Sequence, residues 1–223
     1  RRLLVLFDGI YNHSQVWCNG RLLAENPYGY SPFWVDLTPA LMDDEERQVL
    51  AVRVDHHRYV DSRWYTGSGI YWDVTLITKP LLHIPIRGTR LYTSEVQDGR
   101  PPVKLEVAVN NASVQDETAT VTTSFIDPDG RENAKSENAI SLAASEETLC
   151  VQQITVHAPR LWHPDHPFLY RAVTRLESGG DLLDECETRF GIRTVHFDVD
   201  RGFFLNGEHT DIKGVCLHHD AGL

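Results

Sequence analysis

A chain of 223 residues, 41% hydrophobic and 24% charged, has an ordinary globular composition and is long enough for one large or two modest domains. Its net charge of −11 argues against nucleic acid or an anionic membrane surface as a partner, because both ask for a basic face. No run of about 18 apolar residues occurs, so no segment reads as a membrane-spanning helix.

The chain opens on Arg1-Arg2-Leu3-Leu4-Val5-Leu6-Phe7, which Asp8-Gly9 ends too early for a signal peptide, and Leu3–Phe7 reads as a buried strand. Strands follow at Ser14–Cys18, Gln48–Val54, Asp73–Ile77, Lys104–Asn110 and Thr118–Ile126, several with strict apolar/polar alternation. Turn signals separate them: Asn19-Gly20, Asp98-Gly99, Asp127-Pro128-Asp129-Gly130, Gly179-Gly180-Asp181 and Asn206-Gly207. The segment from Pro39 to Arg47 is at most a short helix or turn. A hairpin joins Val195–Phe197 to Phe203–Leu205, and a last strand runs from Ile212 to Leu217. The fold class is therefore all-β, built of sandwiches. Prolines at 80, 85, 101 and 102 place one boundary near residues 78–86, and Phe190-Gly191 marks a second. Residues 81–190 have the size of an immunoglobulin-like sandwich. The first block holds roughly five strands, few for a closed sandwich, and the chain starts and stops on strands, as a piece of a longer protein would.

Cys18, Cys150, Cys186 and Cys216 are scattered, without a Cys-x-x-Cys pair, and read as buried free thiols. Trp17, Trp34 and Trp162 read as core packing. His56-His57 and His163-x-x-His166 lack a third metal ligand at sensible spacing and read as surface or turn residues, and Glu45-Glu46 and Glu146-Glu147 as solvated charge. The richest segment is Asp61-Ser62-Arg63-Trp64-Tyr65-Thr66-Gly67-Ser68-Gly69-Ile70-Tyr71-Trp72-Asp73-Val74. Aromatic faces stack on the apolar faces of sugar rings, and a carboxylate accepts hydroxyl hydrogen bonds or holds a hard cation. Taken alone, Asp73 reads first as an aspartate that caps a strand or accepts from a turn amide.

These motifs resemble glycoside hydrolase family 2 along the whole chain. Phe7-Asp8-Gly9-Ile10, Val16-Trp17-Cys18-Asn19-Gly20, Gly29-Tyr30-Ser31-Pro32-Phe33, Asp36-Leu37-Thr38 and Arg63–Val74 resemble the latter part of the family's sugar-binding jelly roll. Leu161-Trp162-His163-Pro164 and Pro167-Phe168-Leu169-Tyr170 resemble the end of its immunoglobulin-like domain. Arg189-Phe190-Gly191-Ile192-Arg193, Gly202–Gly207 and Ile212–His218 resemble the entry to its (β/α)8 barrel. The implied domains are 1–80, the C-terminal part of a jelly roll; 81–190, an immunoglobulin-like sandwich; and 191–223, a barrel stub carrying its first strand.

The resemblance implies the non-catalytic N-terminal portion of a retaining β-glycosidase. In the family, two glutamates beyond Leu223 in the chain order would be acid/base and nucleophile, about 5–5.5 Å apart. The fragment alone should be inactive. The expected substrates are terminal β-D-galactosides, with β-glucuronides or β-mannosides as alternatives, and a stand-alone carbohydrate-binding sandwich as the rival from another class. Asp73 and His218 are the implied substrate-binding residues, and Asp73 the implied ligand of a monovalent cation. Trp72 stands where the β-galactosidase pattern has Arg. Cys216-Leu217-His218-His219-Asp220 departs from the pattern Asn-Arg-His-Glu-His. The fragment needs no cofactor of its own; Na+, and Mg2+ in the parent enzyme, are the expected ions. A β-glycoside substrate and a homo-oligomer are the expected partners, with neither nucleic acid nor membrane. A bacterial cytoplasmic or periplasmic location is expected.

Overall fold

The computed structural model describes residues 1–43, 47–57, 67–93 and 102–216. Asp98-Gly99, Glu45-Glu46, Arg63, Trp64 and His218 lie outside the described residues. The chain forms two units, one of Arg1–Lys79 with the chain from Gly214, the other of Pro80–Lys213. All regular structure among the described residues is β except one 3-10 turn, Thr38–Ala40, the only helical element in the stretch read as a short helix.

The first unit contains β1 (Arg2–Phe7), β2 (Ile10–Tyr11), β3 (Ser14–Cys18), β4 (Arg21–Asn26), β5 (Phe33–Asp36), β6 (Leu50–Arg53), β7 (Gly69–Ile70) and β8 (Val74–Lys79). They make sheets in the orders β5-β1-β8 and β4-β3-β6, plus the short pair β2-β7. Alternation along β1 and β3 turns Val5, Phe7, Val16 and Cys18 inward, where Ile10, Val35 and Leu37 complete the core. Asn19 and Gly20, both left-handed at φ 48 and 80, make the tight β3-β4 turn, a conformation that Asn and Gly adopt at least cost. Asn19 also braces the neighbouring loop: its Nδ2 donates to the Ala40 carbonyl at 2.8 Å, and its Oδ1 accepts from the Val49 N–H at 2.9 Å.

β8 breaks the pattern of burial. Leu76 and Val74 sit opposite Val5 and Phe7, and so on the same face, yet they are 63% and 46% exposed. Trp34, read above as core, is 43% exposed because its register partner is Leu6, on the opposite face from Val5 and Phe7. Trp17 is half-buried.

The second unit comprises β9 (Leu82–His83), β10 (Thr89–Thr93), β11 (Pro102–Asn111), β12 (Glu117–Ile126), β13 (Glu132–Leu142), β14 (Glu147–Thr155), β15 (Tyr170–Ser178), β16 (Asp181–Phe190), β17 (Val195–Asp198), β18 (Gly202–Leu205) and β19 (Glu208–His209). One sheet runs β10-β11-β14 with β9 also on β11, the other β13-β12-β15-β16. These antiparallel sheets pack as an immunoglobulin-like sandwich. β11 alternates without a break, and Leu105, Val107 and Val109 meet Val121, Leu142 and Leu176 in the core. Two buried polar links lie in it: Thr123 and Thr174, register partners within one sheet, meet hydroxyl to hydroxyl at 3.1 Å, and Gln152 Nε2 donates from the other sheet to the Val121 carbonyl at 3.0 Å. Tyr170, 2% exposed at the start of β15, accepts the Arg160 N–H at its hydroxyl (2.9 Å) and so pins the strand's incoming loop.

The Leu161-Trp162 and Phe190-Gly191 motifs meet here. The Trp162 N–H donates to the Ile192 carbonyl (2.8 Å), its carbonyl accepts from Asn206 Nδ2 (3.0 Å), and Arg193 lies 4.6 Å over its ring. A Cβ at Gly191 would stand 2.7 Å from the Trp162 Cβ, so only glycine fits. Trp162 is packing, as read. The 195–205 hairpin and the Asn206-Gly207 turn form as expected, but Ile212–Cys216 is not a strand. Its backbone finds no ladder among the described residues, and a strand exists only where its N–H and C=O groups are paired. Cys18 and Cys150 are buried, Cys186 is partly covered, and Cys216 is exposed, which corrects the expectation of four buried thiols; none of the four forms a disulfide.

Two predictions follow from this packing. Gly191→Ala should cost about 1–3 kcal/mol through overpacking against Trp162, read as a lowered melting temperature; an unchanged melt would mean that the contact relaxes freely. Asp36 gives a pH dependence. Burial alone would raise its pKa, but hydrogen bonds from Thr38 and Arg2 outweigh it and hold the carboxyl below its ordinary 3.8. A depressed carboxyl stabilises the fold in full above its unfolded value and loses that contribution as pH falls through the folded one. Asp36→Asn should therefore melt lower than the parent at neutral pH, with the gap closing as pH falls below the carboxyl's ordinary 3.8. A gap that stayed constant with pH would remove the role.

Candidate functional site

Asp73 stands immediately before β8, where the chain has just crossed from the β2-β7 pair to the β1-β8 pair. Two backbone bonds carry the ladder across that junction: the Asp8 N–H donates to the Asp73 carbonyl at 3.0 Å, and the Tyr71 N–H to the Gly9 carbonyl at 3.2 Å. The carboxylate of Asp73 is exposed, and among the described residues it has no hydrogen bond or ion pair. The residue is held by its main chain, so neither the capping nor the turn-amide reading describes its side chain, which is left available to a ligand.

Tyr71 sets the position of this junction. Its ring covers Gly9 so closely that a Cβ there would lie 2.3 Å from the ring's Cζ. Its hydroxyl donates to the Gly29 carbonyl at 2.7 Å. Burial, with the Tyr28 phenol nearby, pushes the Tyr71 phenol above its ordinary value, so it remains a proton donor across the physiological range. Gly29 in turn lies against the Tyr11 ring, where a Cβ would meet Cδ2 at 2.3 Å. Neither glycine has a positive φ; both are there for close approach.

Around this knot the aromatic side chains gather. Tyr11 packs on Tyr30 (centroids 5.1 Å apart) and edge-on to His56 (4.8 Å), Tyr28 meets Tyr30 at 5.8 Å, and Tyr71 meets Trp72 at 6.4 Å. Trp72 is 65% exposed, beside Asp73. The group offers acceptors and ring faces to hydroxyl and C–H groups, which is binding chemistry rather than bond cleavage.

Of the residues read from the sequence, Asp73 is among the described residues and His218 lies outside them. Tyr71, Tyr11, Tyr28, Tyr30 and His56 were not singled out as site residues. The signal that could have found them is the pair of glycines in Phe7-Asp8-Gly9 and Gly29-Tyr30-Ser31-Pro32-Phe33, each a place where something large comes close. His56 Nδ1 lies 2.6 Å from the Ser68 hydroxyl, and His57 Nδ1 contacts the Asp55 carboxylate, so the histidine pair is tied into the local network. His163 and His166 face each other across a tight bridge in the other unit. A hard monovalent cation takes several oxygen ligands. Asp73 supplies one carboxylate, and among the described residues no group of three metal-ligating side chains exists.

Comparison with known proteins gives this geometry its context. The sugar-binding domain of the glycosyl hydrolases of family 2 matches residues 1–80, and the family's following domain matches residues 84–193. A β-galactosidase from Bacteroides ovatus is 43% identical over 97% of this chain and 25% of its own length. A β-glucuronidase from Bacteroides fragilis is 30% identical over 99% of this chain and 33% of its own. The crystal structure of a family 2 glycosyl hydrolase from Bacteroides cellulosilyticus superposes with a TM-score of 0.92 at 33% identity, over 98% of this chain and 30% of that one. The chain thus spans between a quarter and a third of the length of these two curated relatives. With consecutive domains of one family matched in order and a solved member following the fold nearly throughout, the chain belongs to glycosyl hydrolase family 2.

Proposed function

We propose that this chain is the non-catalytic front portion of a retaining β-glycosidase whose substrate is a terminal β-D-galactoside, and that Asp73 binds a hydroxyl of that sugar. The observation that carries the substrate choice is the 43% identity to a β-galactosidase, against 30% and 32% for β-glucuronidases. The observation that supports the role of Asp73 is its exposed carboxylate on a junction fixed by backbone bonds and by Tyr71. In this reading the jelly roll and the immunoglobulin-like sandwich brace a (β/α)8 barrel. Residues 191–223 lead into its first strand, and His218 joins Asp73 at the sugar. The acid/base and nucleophilic glutamates belong to the barrel. The uncovered Val74 and Leu76 support the presence of further chain against β8 in the whole protein. A sodium ion at Asp73 would need its other oxygen ligands from outside the described residues.

A neutral galactoside also suits the charge of −11 better than a glucuronide, which brings a carboxylate of its own. The whole protein, assayed on chromogenic β-galactoside, β-glucuronide and β-mannoside, should turn over the galactoside best; a higher kcat/KM on the glucuronide would overturn the choice. Asp73→Asn keeps the volume and removes the charge. It should lower kcat/KM by roughly tenfold or more, the size of one lost charge-assisted hydrogen bond, while moving the melting temperature little. Unaltered kinetics would take Asp73 out of the sugar site.

A further inference from the structure

We propose that the outer face of sheet β4-β3-β6 is an interface between two copies of this chain, related by a two-fold axis that runs along β3. β3 buries Ser14, Val16 and Cys18 and turns Gln15 and Trp17 the other way, so Trp17 is not the core residue that its type suggests. Register sets Leu22 of β4 and Ala51 of β6 on either side of Trp17, and Glu25 and Arg53 on either side of Gln15. The solvated face of an antiparallel sheet is ordinarily polar. Here one of its rows is apolar. Leu22 is 44% exposed, Ala51 is exposed, Trp17 is half-buried, and Val49, two residues before Ala51, is 63% exposed. The front of this sheet already holds the unit's core, so apolar side chains on its back serve association rather than the fold.

Two gradients across the sheet identify what covers this patch. Charge runs from Glu25 through neutral Gln15 to Arg53, and bulk runs from Leu22 through Trp17 to Ala51. A two-fold axis along the middle strand reverses each row and leaves its centre in place. Glu25 then faces Arg53 of the second copy, the large Leu22 faces the small Ala51, and every contact occurs twice, as a closed two-fold interface requires. Trp17 meets its own counterpart at the centre, where a few large aromatic residues carry most of the energy of an interface. Sheets packed face to face lie about 10 Å apart with their strands within about 30° of each other, which an axis along β3 permits. Bonds within the polar row hold its order: Gln15 Nε2 donates to the Glu25 carboxylate, and Arg53 Nη1 donates to Gln15 Oε1 at 3.3 Å. A carboxylate accepts, and a guanidinium donates, several hydrogen bonds each, so both ends of the row keep capacity for the facing copy. Charge and bulk that both reverse onto themselves about one line fit a second copy of this chain.

Neither the sugar nor its hydrolysis enters this interface. The test is sedimentation velocity of the whole protein over a concentration series, with Glu25→Arg and Arg53→Glu prepared as single variants. The parent should associate as a dimer or an even multiple of one. Either substitution alone sets like charges against each other in both facing pairs and should raise the dissociation constant about tenfold or more. The two single variants mixed in equal amounts should recover the parent's association. One copy then presents two cations to the two carboxylates of the other, an outcome specific to an axis along β3. Both side chains are exposed, and the melting temperature of each variant checks its fold. A protein monomeric at every concentration, an assembly indifferent to both substitutions, or a mixture that fails to recover it overturns the interface. A monomer whose melting temperature falls with either substitution also overturns it, by showing that another part of the same chain covers the face.

Discussion

The seating of the Tyr71 ring on Gly9 is the contact on which the first unit's aromatic surface depends. A ring can lie flat on a strand only where the residue beneath has no Cβ, and Gly9 provides that at the point where one backbone ladder hands over to the next. Once seated, the phenol reaches the Gly29 carbonyl and brings a second turn, with its own tyrosines, onto the same surface. Residues separated by dozens of positions in the sequence thus share one rigid knot. Asp73 inherits its place from that knot without a side-chain bond of its own. That arrangement suits a ligand-binding carboxylate, because an acceptor already satisfied within the protein would have to give up a partner to bind a sugar.

The second unit uses the same device for a different end. Trp162 rests on Gly191, its backbone is bonded to Ile192 and Asn206, and Arg193 covers its outer face. The link ties the close of the sandwich to the hairpin that follows it. A bond between strands of one sheet resists fraying, whereas this one fixes the direction in which the chain leaves the sandwich. In both units a large ring over a glycine converts a local sequence motif into a long-range constraint, and packing complementarity rather than hydrogen-bond number supplies the rigidity.

The strands were legible because their patterning is local. β3 was read to the residue, β11 and β12 to within two residues at each end, and the Asn19-Gly20 and Asn206-Gly207 turns followed from which residues tolerate positive φ. The family was legible for a related reason: its motifs sit at turns and close approaches, where one residue type fits. What could not be read was decided by partners far along the chain. Trp34 looks like core by composition and is exposed because register sets it opposite Leu6. Ile212–Cys216 has strand composition but no ladder to join among the described residues. The polar row of Glu25, Gln15 and Arg53 exists only once β4 and β6 are placed on either side of β3. Asp73 stands out in the sequence as a carboxylate beside an aromatic turn, whereas Tyr71, which positions it, reads there as one aromatic among several.

A bracing domain can contribute to selectivity without touching the bond that breaks. In the proposed glycosidase the barrel's glutamates see an anomeric carbon common to every β-pyranoside, so chemistry alone separates these sugars poorly. Discrimination then falls to hydroxyl and carboxylate positions around the ring. One well-placed charged acceptor, worth about 1.5–3 kcal/mol when its partner is present, is equivalent to roughly a ten- to hundredfold preference. Such an acceptor must be held to within a fraction of an ångström, and a junction locked by two backbone bonds and a half-buried phenol is suited to that task. A residue on a flexible loop would spend the same interaction on ordering itself. On this argument the first unit is where a family with one reaction can change its sugar. The exposed Trp72 beside Asp73, standing where the β-galactosidase pattern carries Arg, is a change at that very position.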